Sequence, residues 1–466
     1  MYLSTSKIRD TMHKPSKVIL LNQNLVRDKL RQKKYDDVCL SSWGHLDEFI
    51  QFISSFGIFI MLAQLGLATG HSGIPVYLLA MLAFVKPLFE IRFDDNLKYL
   101  FKDHHVLRLL GFNFEQIKNG YSNRTRENGI KPIHPNTLRN FLSSLGYQQT
   151  TGLLVKVVRK LFELGVIRGH NFNTDTKVIF KDSPSYEFAR KVFDYKGKHK
   201  NRRGYKVSII QHIKSQIVVA VIITPANVSD KNLLLMTVRH AITILGPGVI
   251  KTLIFDRGYW DGKTLTTLKK QYGIDFIVPA KSNFVVTKRL IKEVRKEDFD
   301  KIKPGLEIKR IEEVTDAPNY DGTLQAIVVK DKKAKKKRKN HQPVHVYLTS
   351  LSWSNALAIY LGYRERWIIE NNAIKELCQY WILEDFHCAK FNAVRAHIMI
   401  SAVMFNLHIL FKSKYGRRFR EKSIAAKRAP GFQTLYVIVY YENYFGIFDI
   451  EEYTDILLSS RILVPP

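Results

Sequence analysis

FNTDTKVIF (172–180), YKVSIIQH (205–212) and IVVAVIIT (217–224) are three β-branched runs in close succession, and their order decides the fold. A short polar turn at Lys214 and Ser215 joins the last two as an antiparallel pair. Asp230 then stands where a helix over Lys231 to about Leu245 needs a cap, and Gly246-Pro247-Gly248 stops that helix. The apolar run Ile250 to Phe255 reads as a buried strand that delivers Asp256 at its C-terminal end. A helix over Lys263 to Gln271 and a strand over Asp275 to Val278 follow. Antiparallel strands first and alternating helices and strands afterwards predict an α/β architecture, a mixed sheet flanked by helices.

Three acidic residues stand out on this frame: Asp175 in FNTDTKVIF, Asp256 in TLIFDRGYW, and Glu370 in YRERWIIEN. They are far apart in the chain, but the strand order can bring them together. Carboxylates so placed repel, and a bound cation relieves them. Tyr363, Arg366 and Glu370 are spaced i, i+3 and i+7, so an α-helix shows them on one face, a carboxylate one turn beyond a guanidinium. That face suits a phosphodiester. Each residue also has a plainer reading: a strand-edge aspartate for Asp175, a turn former for Asp256, and an ordinary i, i+4 salt bridge for Arg366 with Glu370. Asp194, Asp230 and Asp261 are rivals for the second position, Asp230 as a helix cap and the other two in loops.

The segment around Asp175, GYKVSII, TPANVSD, DRGYW and the Tyr-x2-Arg-x3-Glu helix together resemble the DDE transposases of prokaryotic insertion sequences, specifically the insertion-sequence-four superfamily, over roughly two thirds of the chain. The resemblance implies an RNase H-like catalytic core with the first Asp on strand one and the second at the tip of strand four. It implies DNA strand cleavage and transfer at terminal inverted repeats, that is, cut-and-paste transposition. Asp175, Asp256 and Glu370 would hold two Mg²⁺ or Mn²⁺ ions about 3.5 to 4 Å apart, Asp175 bridging them. Tyr363 and Arg366 would contact phosphates near the cleavage point. Action as a homodimer on double-stranded DNA, in a prokaryotic cytoplasm at the nucleoid, is implied likewise. The family pattern continues with Lys seven residues after the Glu; here Leu377 stands there, and the nearest lysine, Lys375, is rotated by about 140° on an ideal helix.

Composition points the same way. With 73 Lys and Arg against 42 Asp and Glu, the formal charge of +31 calls for a polyanionic partner. Cys39, Cys378 and Cys388 form no CxxC pair, which argues for a reducing compartment and against a zinc module; His387 beside Cys388 reads as structural. The first residues lack the apolar core of a signal peptide. The apolar stretch Ile50 to Leu67 is interrupted by Gln51, Ser54, Ser55 and Gln64, so a buried helical hairpin is expected rather than a membrane span.

Five regions follow. Residues 1–169 hold a basic arm and an all-helical DNA-binding domain. Within it, Leu138, Phe141, Leu142 and Leu145 form a buried stripe, and Thr137, Arg139, Asn140 and Ser143 face outward as a DNA-reading helix or as plain surface. The core occupies 170–280 and, with the Glu-bearing helix over Ser354 to Tyr380, 346–411. Between them, 281–345 is a β-rich insertion with an Asp321-Gly322 hairpin turn. A helical C-terminal region, 412–466, closes the chain; its aromatic stretch docks either on the core or on a second subunit. Arg202, Arg203, Lys206, Arg257 and Tyr259 are further candidate DNA contacts.

The run DKKAKKKRKN carries seven Lys or Arg over 332–339, among them Lys335, Lys336, Lys337 and Arg338, and reads either as a solvated loop or as a DNA contact. If it touches DNA, deleting 332–339 weakens binding and lowers the slope of log K against log salt by about 0.9 for each phosphate that is no longer neutralised. An unchanged slope in a filter-binding salt titration would assign the run to solvation.

Overall fold

The computed structural model describes residues 18–41, 45–67, 74–121, 132–192, 201–294, 299–331, 344–352, 355–414 and 435–459. Two compact units make up the chain: Met1–Val157 with Leu377–Pro466, and Val158–Glu376.

The first unit begins with strand β1 (Leu20–Leu21) and helix α1 (Gln23–Arg31), whose first turn is capped by Asn22 accepting from Leu25 N at 3.2 Å. Strand β2 (Asp37–Ser41) follows. The apolar stretch that begins at Ile50 is broken by Gly57, which adopts φ 89° between helices α2 (His45–Phe56) and α3 (Ile58–Ala63). Helix α4 (Val76–Leu88) is buried along almost its whole length. Helix α5 (Pro135–Ser144) starts with Pro at its first position and buries Leu138, Phe141 and Leu142, as the spacing predicts. Helix α6 is Tyr147–Glu163.

The second unit holds a ten-stranded sheet. Strands β3 (Asn171–Phe180), β4 (Arg190–Lys191), β5 (Arg203–His212) and β6 (Val218–Pro225) are antiparallel, with β3 and β6 flanking β5. Helix α7 (Asp230–Leu245) returns the chain to β7 (Thr252–Ile254), which pairs parallel to β3. Helix α8 (Gly262–Tyr272) leads to β8 (Asp275–Pro279), parallel to β7. After helix α9 (Val285–Glu293), strands β9 (Asp300–Lys303), β10 (Leu306–Val314), β11 (Leu324–Asp331) and β12 (Val344–Thr349) extend the same sheet, β12 pairing antiparallel with β8. The insertion is therefore β-rich and also continuous with the core sheet. Its expected two-residue turn at Asp321-Gly322 is instead part of a longer loop, since the ladder closes at Val314 opposite Leu324. That loop is tied to α8 through Asp321 N to Thr266 Oγ1 at 2.9 Å and Lys270 to Asp321 at 2.5 Å, contacts that local turn chemistry does not encode.

Helix α10 (Ala356–Arg364) packs Ile359, Tyr360 and Tyr363 with Ile254, Ile277, Ile327 and Tyr347 of the sheet. The expected single helix over Ser354 to Tyr380 is interrupted. After Arg364 the chain tightens, with Arg366 N to Tyr363 O at 3.0 Å. It then widens into a π-helical stretch, Ile369–Ile374, before α11 (Lys375–Tyr380). A π-helical stretch turns less per residue, so the α-helical angle between Glu370 and Lys375 does not apply.

The rest of the first unit comprises α12 (Phe391–Lys414), hairpin strands β13 (Tyr436–Tyr441) and β14 (Tyr444–Asp449), and α13 (Ile450–Ser459). Helix α12 is the one described helix long and apolar enough to cross a membrane, and 83% of its apolar window is buried in the protein. The hairpin pairs with β2 on one side and, in parallel, with β1 on the other, giving the order β1-β14-β13-β2. This corrects two expectations: the N-terminal region is not all helical, and the C-terminal region is not purely helical. The aromatic stretch docks on the chain's own β2. Strands of two and five residues whose partners lie near the other chain end leave no local periodic signature.

At one position the sheet admits only glycine. A Cβ on Gly204 would lie 1.9 Å from Ile179 O of the neighbouring strand. Gly204→Ala is expected to cost about 1–3 kcal/mol through forced backbone shifts, read as a lowered denaturation midpoint; an unchanged midpoint would contradict this packing.

Candidate active site

Asp175 lies in the middle of β3, and the parallel pairing of β3 with β7 brings Asp256 to it. The last ladder pair is Asn173 with Ile254, so Asp175 and Asp256 each lie two residues beyond it. The polar centre of β3 is divided by the pleat. Asn173 and Asp175 point to one face of the sheet; Thr174 and Thr176 point to the other. On the first face Asn173, fully buried, donates from Nδ2 to Glu365 O at 3.4 Å, which ties β3 to the segment bearing Arg366 and Glu370.

Arg366 links the carboxylates. Its Nη1 lies 3.5 Å from Asp175 Oδ2 and its Nη2 3.6 Å from Glu370 Oε2. The guanidinium is 8% exposed, Asp175 18% and Glu370 50%, so the positive charge sits inside and the glutamate opens to solvent. Burial lifts the Asp175 carboxyl from its ordinary 3.8 to about 6; Thr176 N and Arg366 pull it down, while Asp256 and Glu370 push it up. All three carboxylates therefore share one electrostatic field. Burial alone would lower the Arg366 pKa, but Tyr363, Asp256 and Asp175 outweigh it and hold the group above its ordinary value. Asp175 Oδ1 accepts from Thr176 N at 2.8 Å, and Asp256 Oδ1 accepts from Arg257 N at 2.8 Å, where Asp256 caps the single 3₁₀ turn Arg257–Tyr259.

Among the described residues, no three His, Cys, Asp or Glu side chains stand close enough together to hold a metal ion as they are placed here. The three carboxylates are neighbours in charge, with Arg366 within ion-pair distance of Asp175 and Glu370. Their chemistry fits a hard divalent cation: oxygen donors only, one of them buried in the field of like charges.

The other candidates fall into distinct places. Tyr363 is a core residue, buried with its ring 4.6 Å from that of Tyr347, and Arg366 is buried with the carboxylates rather than turned out to a phosphate. Tyr259 is buried against Phe255. Lys206 Nζ pairs with Asp230 at 2.9 Å and donates to Val228 O at 2.8 Å. Arg203 donates to Ala189 O at 3.0 Å, and Arg202 pairs with Asp182 at 2.6 Å while lying over the Phe180 ring. Arg139, expected on an outward reading face, bonds Asp94 at 3.3 Å, the same carboxylate that the buried Lys86 holds. Each of these side chains has a fixed partner that single-residue patterning cannot show. Arg257 and Lys375 are exposed. Lys335, Lys336, Lys337, Arg338 and Asp194 lie outside the described residues. Asp261 caps α8 through Thr264 N at 3.1 Å; Asp230 is the first residue of α7, behind Ser229 in the cap position, so its expected capping role is corrected. The three cysteines form no disulfide, and His387 stacks on Phe93 at 4.2 Å. Asn173 was missed in the sequence; the signal for it was a second polar side chain on the Asp175 face of an otherwise apolar strand.

Residues 168–407 match the family described as the transposase DDE domain. No curated protein matches the chain. Among solved structures, the piggyBac transposase in a synaptic complex with hairpin DNA is similar at 11% identity and a TM-score of 0.44, over 95% of this chain and 82% of that one. The family match spans more than half of the 466 residues and takes in Asp175, Asp256 and Glu370. The chain belongs to the transposase DDE domain family.

Proposed function

We propose that this transposase cleaves DNA at the terminal inverted repeats of an insertion sequence of the insertion-sequence-four type and joins the freed 3′ hydroxyl to target DNA, by cut-and-paste. The observation that carries this reading is that Asp175 and Asp256 each follow the last β3–β7 ladder pair by two residues, with Arg366 within ion-pair distance of Asp175 and Glu370. Asp175, Asp256 and Glu370 would hold two Mg²⁺ or Mn²⁺ ions, which when bound activate the attacking oxygen and stabilise the leaving one. The chain's own residues do the rest. Arg366 offsets the repulsion among the carboxylates from a buried position, and Asn173 anchors the segment that carries Glu370. Exposed Glu370, Arg257 and Lys375 present mixed charge at the rim, where a phosphate backbone can approach. The net charge of +31 supplies the long-range attraction to double-stranded DNA. Action as a homodimer on paired ends, at the nucleoid of a prokaryotic cell, completes the proposal.

Asp175→Asn, Asp256→Asn and Glu370→Gln are each expected to lower Mg²⁺-dependent cleavage of the element's end DNA by at least about a thousandfold, with binding in mobility-shift assays nearly unchanged. Normal cleavage by any one variant removes that residue from the site. Cleavage by the native chain without joining would make it a nuclease of the same core.

A second outcome concerns stability. Because the Asp175 pKa is raised on folding, the folded chain favours the protonated form; the stabilisation is complete below pH 3.8 and is lost as pH rises through about 6. Asp175→Asn should therefore stabilise the protein without added metal at pH 7.5 by on the order of 2–3 kcal/mol, and this advantage should vanish near pH 4. Equal stability of the two proteins at both pH values in denaturant titrations would refute the buried-charge account.

A further inference from the structure

Asp230, at the start of α7, sits on the face of the sheet opposite Asp175, and its carboxylate bonds two strands at once and lies near the turn after Asp256. Oδ1 accepts from Thr176 Oγ1 of β3 at 3.2 Å and pairs with Lys206 Nζ of β5 at 2.9 Å. Oδ2 faces Gly258 in the turn after Asp256, where an added Cβ would lie 3.7 Å away. Lys206 is itself held by Val228 O at 2.8 Å, so the pair is fixed from both sides.

This placement has a mechanical consequence. The β3–β7 ladder ends at Ile254, two residues short of Asp256, so no backbone hydrogen bond of that ladder holds Asp256 at a set distance from Asp175. Thr176 is the residue after Asp175 and Gly258 lies two after Asp256. A carboxylate bonded to the first, on a helix that packs against the turn bearing the second, lies behind the gap that the ladder leaves open. Lys206 neutralises the carboxylate, so that it adds little net repulsion to the acidic face in front.

We propose that Asp230 is a positioning residue that fixes the spacing of Asp175 and Asp256 from behind the sheet through Thr176 and the Gly258 turn. The inference rests on the reading of Asp175 and Asp256 as cation ligands, and it assigns Asp230 no contact with the cation or with DNA. Groups that orient ligands from outside a site typically change affinity by 10–100-fold when removed.

The test is Mn²⁺ binding to the full chain by calorimetry, without DNA. Asp230→Ala is expected to weaken Mn²⁺ binding at least tenfold, and Asp230→Asn, whose amide oxygen still accepts from Thr176, is expected to recover most of the loss. Thr176→Val breaks the same hydrogen bond from the other end and should match Asp230→Ala; it keeps the test decisive if Asp230→Ala fails to fold. Native affinity in Thr176→Val, or equal losses in Asp230→Asn and Asp230→Ala, would overturn the proposal. A native chain that takes up no Mn²⁺ overturns the cation reading itself, and this inference with it.

Discussion

A carboxylate buried in mid-strand, with two further carboxylates in the same field, is costly to keep charged, and the surrounding structure answers with positive charge. The cost is visible at Asp175, whose carboxyl is lifted by burial to about 6 in spite of a backbone donor and a guanidinium. Raising a carboxyl by one pH unit disfavours its charged form by about 1.4 kcal/mol, an appreciable part of a domain's net stability. Arg366 is the nearest compensation, buried and bonded toward both Asp175 and Glu370. Strongly perturbed carboxyls cluster at functional sites, and this one lies within the stretch that matches the transposase DDE domain family.

The same constraint accounts for how the Glu-bearing segment is built. A straight α-helix from Ala356 onward would present Tyr363, Arg366 and Glu370 on one surface. The chain instead buries Tyr363 against Tyr347, turns Arg366 inward and enters a π-helical stretch that holds Glu370 half in solvent. π-helical turns widen the backbone at a cost and recur at functional sites. Here the widening lets one segment serve both the apolar sheet face and the acidic cluster.

The strand order of the second unit, the helices between its strands and the buried stripe of α5 were legible in the sequence because they rest on short-range periodicity. Asp175, Asp256 and Glu370 were legible as candidates because a charge inside or beside an apolar run stands out. The roles of the basic and aromatic neighbours were not. Lys206, Arg203, Arg139 and Tyr259 look like surface groups in a one-dimensional reading, whereas each is held by a partner or packed in the core. The strands β1 and β2 escaped notice for a related reason: their partners, β14 and β13, stand at the other end of the chain.

By itself the sequence determined the alternation of elements, the strong positive charge and the candidacy of the acidic trio, since these depend on residue type and near-neighbour spacing. Only the tertiary structure decided the β3–β7 register that ends two residues short of both Asp175 and Asp256, the inward turn of Arg366, and the placement of Asp230 behind the sheet. Those depend on contacts between residues distant in the chain, where the strength of an interaction is set by burial and distance, and spacing along the backbone carries no information about either.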